Sequence, residues 1–372
     1  MRGRGKRAGT VLLAAACLCA CADAVGPDPS DVTYEEGLVG FAARLDSFRV
    51  RLRIPGMSAA LVHDGSVVWA TGFGMANVEQ RVPATGTTPF HLASLTKPFA
   101  ATVLMQLVEE GLVDLDAPVS DYGVDLSSPG VIRVRHLLTH TSEGIPGSQY
   151  HYSGNRFGYL TQVMEFATGR SFAELLVERI LEPLGLRNTA PNPLQPAAFA
   201  FTGLDRNRFM AEMAAGYELR GVEVVPLEHP SYFGAAAGLV ASAADVAAFS
   251  VAIDEGRFLD AETWTQVFTP ATSNTGDTLP YGLGWFIQSY QGVTLQWHYG
   301  GWTTNSSLIV RAPEKGLAFV VLANTPQLSA AYPGLGTDNN VLRSAVARLF
   351  VDAFVLGDEP LPRGLSGPPV RR

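Results

Sequence analysis

A chain of 372 residues with 47% apolar content is long enough for one large domain with a sizeable core. Its 27 Lys and Arg against 35 Asp and Glu exclude the basic footprint of a nucleic-acid binder. All three cysteines stand at positions 17, 19 and 21, which excludes disulfides, thiol catalysis and Cys-ligated metals from everything that follows.

The N-terminus reads as a targeting segment. Arg2, Arg4, Lys6 and Arg7 form a basic region, and the apolar run from Val11 to Ala20 is too short to span a bilayer. Leu18-Cys19-Ala20-Cys21 resembles a bacterial lipobox, in which Cys21 is lipidated. Ala22-Asp23-Ala24 also fits ordinary signal-peptidase cleavage. Both readings predict export, to the periplasm or to a lipid-anchored place on the membrane. Without its four bases the chain keeps 23 of its 27 against 35 acids, so charge would not dock it on anionic lipid. The expected organisation is a signal segment at 1–21, one domain at 22–357 and a Pro/Gly-rich tail at 358–372.

Tyr34 to Arg53 reads as an amphipathic helix. Ser58–His63 and Val67–Ala70 flank Asp64-Gly65, a strong hairpin signal. The stretch from about 94 to 248 is mostly helical in pattern. Tyr281–Gln288, Thr294–His298, Ser307–Arg311 and Gly316–Asn324 read as successive strands, and Val341–Phe354 as a closing helix. Strands at both ends and helices between predict an α+β fold: a mostly antiparallel sheet built from the two termini, with a helical insertion.

Ser94-Leu-Thr-Lys97 opens a helix running to Glu110 and ended by Gly111. At i and i+3 the hydroxyl and the amine share one face. Ala101, Leu104 and Val108 fall on the same arc, while Thr102, Gln106, Glu109 and Glu110 fall elsewhere, so the pair is expected above an apolar stripe. A serine needs a base to take its proton, and a desolvated lysine can be that base. Arginine cannot. The chain holds three lysines, Lys6, Lys97 and Lys315, and only Lys97 lies in the body outside an evident turn. Ser-x-x-Lys is nonetheless short enough to arise by chance, and Pro98 sits awkwardly for a helix interior.

Further segments carry a family resemblance. Arg135-His-Leu-Leu-Thr-His-Thr-Ser142, Leu115-Asp-Ala-Pro-Val119, Gly238-Leu-Val-Ala-Ser-Ala-Ala-Asp245, Tyr281-Gly-Leu-Gly-Trp285 and Pro313-Glu-Lys-Gly-Leu317 resemble signatures of the β-lactamase-related serine hydrolases, which include penicillin-binding proteins, esterases and D-aminopeptidases. The resemblance runs from about 36 to 355. It implies Ser94 as nucleophile, Lys97 as base and Tyr152 as the loop tyrosine of a Tyr-x-Asn motif, with Gly154 in place of the asparagine and Asn155 one residue late. It implies His298-Tyr-Gly300 as the strand motif, His298 touching substrate or the proton relay. Backbone N–H groups of Ser94 and Gly301 would form the oxyanion hole. No cofactor is implied.

The departures at Gly154 and His298 argue for ester, peptide or amide substrates. A true class C-like β-lactamase and an acylatable sensor without turnover remain alternatives. A monomer is expected. His136 and His140 have helical metal-pair spacing but lack a third ligand, so no metal is predicted. No Gly-x-Ser-x-Gly occurs, and His151, Trp302, Tyr150 and Phe233 stand as further residues for the pocket.

Overall fold

The computed structural model describes residues 29–332, 340–357 and 361. The expected signal segment with Cys21, and the expected tail apart from Leu361, lie outside the described residues.

Helix α1 (Pro29–Arg51) leads into the hairpin β1 (Gly56–His63) and β2 (Ser66–Asn77). Asp64 and Gly65 both take positive φ at its turn, the backbone that Asp-Gly was read to supply. Short β3 (Val82–Pro83) follows. After a long helical region come β4 (Phe286–Tyr290), β5 (Val293–Trp302), β6 (Asn305–Ala312) and β7 (Leu317–Ala323). The seven strands form one sheet in the order β3-β2-β1-β7-β6-β5-β4, every pairing antiparallel. The two ends of the chain therefore meet at β1 and β7, Ala60 lying opposite Val320.

The central strands are apolar on both sides because both faces are covered. Along β7, Ala318, Val320 and Leu322 join the core under the helical layer. Leu317, Phe319 and Val321 join a second core with Phe41 and Leu45 of α1 and with Phe350 and Phe354 near the C-terminus. Strand side chains alternate between faces, so a strand with two cores shows a continuous apolar run.

Two expected elements differ. Tyr281–Trp285 is a turn, closed by the Gly282 N–H on the Trp285 carbonyl. Gly284 has φ +88, and a Cβ there would stand 2.4 Å from the Ala101 methyl, so glycine lets this turn press on the helical layer. The closing helix is broken into a short turn at Val341–Arg343 and a helix beginning at Ala345. Ser344 makes the break by capping the Ala347 N–H.

The main-chain helix of the site, α2 (Thr96–Glu109), is buried nearly all round. Every residue from Thr96 to Met105 is buried, including Thr102, whose hydroxyl satisfies itself on the Pro98 carbonyl at 2.9 Å. The sequence puts Thr102 off the apolar arc, yet solvent reaches only the last turn. Pro98 costs little where it stands. It lies in the first turn of α2, where backbone N–H groups have no partner inside the helix.

Candidate active site

Ser94 sits in a 3₁₀ turn, Ala93–Leu95, directly before α2. Ala93 holds φ +49, a left-handed conformation that costs a non-glycine residue about 1–2 kcal/mol. The surroundings pin it. The Ala93 N–H donates to His91 Nδ1 at 3.1 Å, and the Ala93 carbonyl accepts from Thr96 Oγ1 at 2.7 Å. Ser307 Oγ of β6 donates to the Leu92 carbonyl at 2.7 Å, and Asn305 Nδ2 to the His91 carbonyl at 2.8 Å. The turn carrying the serine is thus bolted to the central sheet.

Lys97 is fully buried. Its Nζ lies 2.9 Å from Ser94 Oγ and 2.9 Å from the Ala236 carbonyl, with the rings of Tyr152 and Phe157 centred 5.0 and 5.4 Å away. Desolvation lowers its pKa to about 7, because burial penalises the charged form. At neutral pH a substantial fraction of Lys97 is free to take a proton.

Tyr152 precedes the short helix α4 (Gly154–Gly158; α3 is Val134–Leu138). Its hydroxyl is buried without a well-formed hydrogen bond among the described residues. Burial, then Tyr299, pushes the phenol well above its ordinary value, with the Ser94 hydroxyl pulling the other way. The phenol therefore holds its proton across the physiological range.

Ser94, Lys97, Asn155, Gly301, Phe233 and Trp302 line one cleft of about 930 Å³. β4 pairs with β5 only up to Trp297, so the edge from His298 to Trp302 has no strand beside it on that flank and faces the Ser94 turn. Gly300 allows this approach: a Cβ there would stand 2.1 Å from the Leu92 carbonyl oxygen.

The strand histidine departs from one of its two expected roles, contact with the substrate. His298 is wholly buried and does not line the cleft. Its Nε2 pairs with Tyr281 Oη at 2.8 Å and its Nδ1 with the Tyr299 carbonyl at 2.7 Å. Since a carbonyl only accepts, Nδ1 carries the ring proton and Nε2 accepts from the tyrosine. Burial and then the Lys97 charge hold it neutral, leaving no ring nitrogen to bind substrate. Gly300 likewise packs under the Ser94 turn instead of lining the cleft. Tyr150 lies in the second core with Tyr281 and Phe286, and His151 is exposed beside Glu143.

Two contributors escaped the sequence reading. One is the Ala236 carbonyl, held where a side-chain motif cannot announce it. The other is Tyr232, which lines the cleft and whose hydroxyl is held by Thr161 and the Ala236 backbone. Aromatic residues in a Gly/Ala-rich loop gave only a weak signal. Among the described residues no group of three or more His, Cys, Asp or Glu is placed to hold a metal ion, and no helix is long and apolar enough to cross a membrane.

The chain is similar to several known proteins. D-aminopeptidase of Gluconobacter oxydans is 28% identical over 78% of this chain and 60% of its own length. Penicillin-binding protein 4* of Bacillus subtilis is 24% identical over 70% of this chain and 66% of its own. The chain thus spans about 60% of the length of these relatives. Among solved structures, the octameric penicillin-binding protein homologue from Pyrococcus abyssi matches with a TM-score of 0.72 and 25% identity, over 86% of this chain and 77% of that one. The sequence profile of the Beta-lactamase family matches residues 41–335, a span that takes in the Ser94 turn and all seven strands of the main sheet, and the chain belongs to that family.

Proposed function

We propose that the protein is a serine hydrolase that forms an acyl-enzyme on Ser94 and acts on peptide, amide or ester substrates. The observation that carries this is the buried Lys97 amine, 2.9 Å from the Ser94 hydroxyl with its pKa lowered to about 7. Neutral Lys97 takes the Ser94 proton as Oγ attacks the substrate carbonyl carbon. The oxygen of the tetrahedral intermediate gathers negative charge against the N–H groups of Ser94 and Gly301. Tyr152 hands its proton to the leaving amine or alkoxide and is reprotonated from Lys97. The acyl–oxygen bond formed in this step is then cut by water, with the same groups running in reverse.

The lining of the cleft bears on substrate. Lys97 is the one cationic side chain among its described lining residues, and it is committed to Ser94 and Ala236. A substrate whose carboxylate must be held, as in a β-lactam drug, finds no free cationic partner among the described lining residues. An acyl group that is uncharged or carries a free amine suits the cleft, whose described lining includes the Glu165 carboxylate, and the D-aminopeptidase relatives favour aminoacyl amides. We extend the reading to an exported monomer, with Cys21 lipidated or removed with its leader. Mass spectrometry of the mature N-terminus and light scattering test these two points.

The deciding experiment compares a nitrophenyl ester, a D-aminoacyl amide and a cephalosporin reporter, each with the parent and with Ser94→Ala. Turnover that disappears in Ser94→Ala supports the acyl-serine route, and the preferred substrate names the class. A stable adduct with a serine-directed phosphonate but no turnover points to a sensor. Turnover that survives the substitution sinks the assignment.

A further inference from the structure

His140 belongs to a helix-spaced histidine pair that the proposed chemistry leaves unused. The two histidines have different tasks. His136 Nδ1 accepts the Arg133 N–H at the start of α3, a local cap. His140 lies just past the end of α3, fully buried, with φ +55.

From there it holds the backbone on both sides of Tyr152. The His151 N–H donates to the His140 carbonyl at 2.7 Å, and the Ser153 N–H donates to His140 Nδ1 at 3.1 Å. Between those two amides the Tyr152 ring lies on the imidazole, centroids 4.3 Å apart. Phe157 and Tyr281 also pack on the imidazole, centroids at 5.3 and 4.9 Å. Because Nδ1 accepts, the proton of the neutral ring sits on Nε2, which is buried with no hydrogen-bond partner among the described residues. A buried donor without a partner is costly, and so is positive φ in a residue with a Cβ. Both are concentrated in one residue whose carbonyl and Nδ1 each hold an amide beside Tyr152.

We infer that His140 is a positioning residue for Tyr152: its carbonyl, Nδ1 and ring face together set where the Tyr152 hydroxyl stands relative to Ser94 and the departing group. This rests on the acyl-serine reading, in which Tyr152 delivers the proton to the leaving group.

The role has a kinetic signature that a general loss of folding does not. A p-nitrophenolate leaves without help, whereas an alkoxide or an amine must be protonated as it departs. Displacing Tyr152 therefore slows the poor leaving group far more than the good one. General acid help is worth about 10²–10⁴-fold. For one acyl group, His140→Leu is expected to lower kcat/KM, which reads the acylation step, for the methyl ester and the amide by at least about 30-fold, and for the nitrophenyl ester by less than about 3-fold. His140→Asn keeps an acceptor for the Ser153 N–H and tolerates positive φ, and should recover most of the loss. His140→Gln, whose acceptor sits one bond farther out, stands in should the Leu protein not fold, with the same selective loss expected.

An equal loss on all leaving groups, or no loss, overturns the positioning role. Stoichiometric labelling of Ser94 by a phosphonate in each variant separates this from failure of the parent reading. Labelling retained with unselective kinetics rejects His140 alone. No labelling even in the parent rejects Ser94.

Discussion

The Ala236 carbonyl accepts a hydrogen bond from Lys97 Nζ at 2.9 Å, the same length as the bond Lys97 makes to Ser94. A neutral amine has two N–H donors and one lone pair. With the carbonyl taking one donor, the lone pair can turn to the serine hydroxyl, so the backbone oxygen orients the base as well as solvating its charged form. The expected outcome is a kcat/KM that rises with pH through an apparent pKa of about 7 and stays level up to the tyrosine range. Lys97→Arg keeps the charge and cannot accept the proton, and should lose about 10²–10⁴-fold at every pH. A bell with its acid limb at the carboxylate range in the parent would assign the base elsewhere.

The same lowered pKa links stability to pH. Lys97 titrates near 7 in the fold and near its ordinary value of 10.5 when unfolded. Between those values the unfolded chain binds more protons, so stability rises with pH across that window. Below about 7 the whole penalty of burying the charge is present. Lys97→Met fills similar space without it. In urea unfolding the variant should exceed the parent most at pH 6 to 7, with the gap narrowing above pH 7 and closing only near 10.5. A gap that is constant with pH contradicts the assignment of the shift to Lys97.

The sequence carried the chemistry further than the geometry. Ser94 and Lys97 were legible because their spacing places them on one helical face, and the Asp64-Gly65 hairpin because its turn demands positive φ. His298 was legible as a motif and not as a contact. Whether a strand residue faces the cleft depends on what packs beyond it, and here Tyr281, from a turn that reads as strand in the sequence, occupies its Nε2. The Ala236 carbonyl and the brace of His140 on the Tyr152 loop are contacts fixed by tertiary packing. Residue types alone do not encode them.

Adjacent glycines of the strand motif should respond differently to one methyl group. At Gly300 a Cβ would stand 2.1 Å from the Leu92 carbonyl and 3.1 Å from the Leu95 nitrogen, backbone that carries Ser94. Neither atom can move without displacing the nucleophile. Gly300→Ala should cost about 1–3 kcal/mol of stability and most of the activity. At Gly301 the tight contact is the Ser329 side chain, with Oγ at 2.4 Å. Gly301→Ala should fold close to normally after that hydroxyl turns away, and its effect should appear in substrate turnover. Thermal melting and phosphonate labelling of the two variants check the contrast.

Away from the site, Arg311 of β6 is 1% exposed and pairs with Asp254, which ends helix α6 (Ala243–Asp254; α5 is Leu160–Thr168). It also donates to Gln296 and, at 2.9 Å, to Ser250, with its guanidinium 5.3 Å from the Phe268 ring centroid and 5.7 Å from that of Trp285. Burial pulls the Arg311 pKa down and Asp254 opposes it. Burial in turn raises the Asp254 carboxyl against the pull of Arg311. Each charge is tolerable only beside the other. Asp254→Ala leaves a guanidinium stranded between the sheet and the helical layer, and should cost about 3–5 kcal/mol. Removing both charges in Arg311→Met with Asp254→Asn should cost less than the single change, because no buried charge is left over. Denaturant unfolding of the cycle reads the coupling directly. Additive losses would mean that water reaches the guanidinium and that the pair only tethers α6 to the sheet.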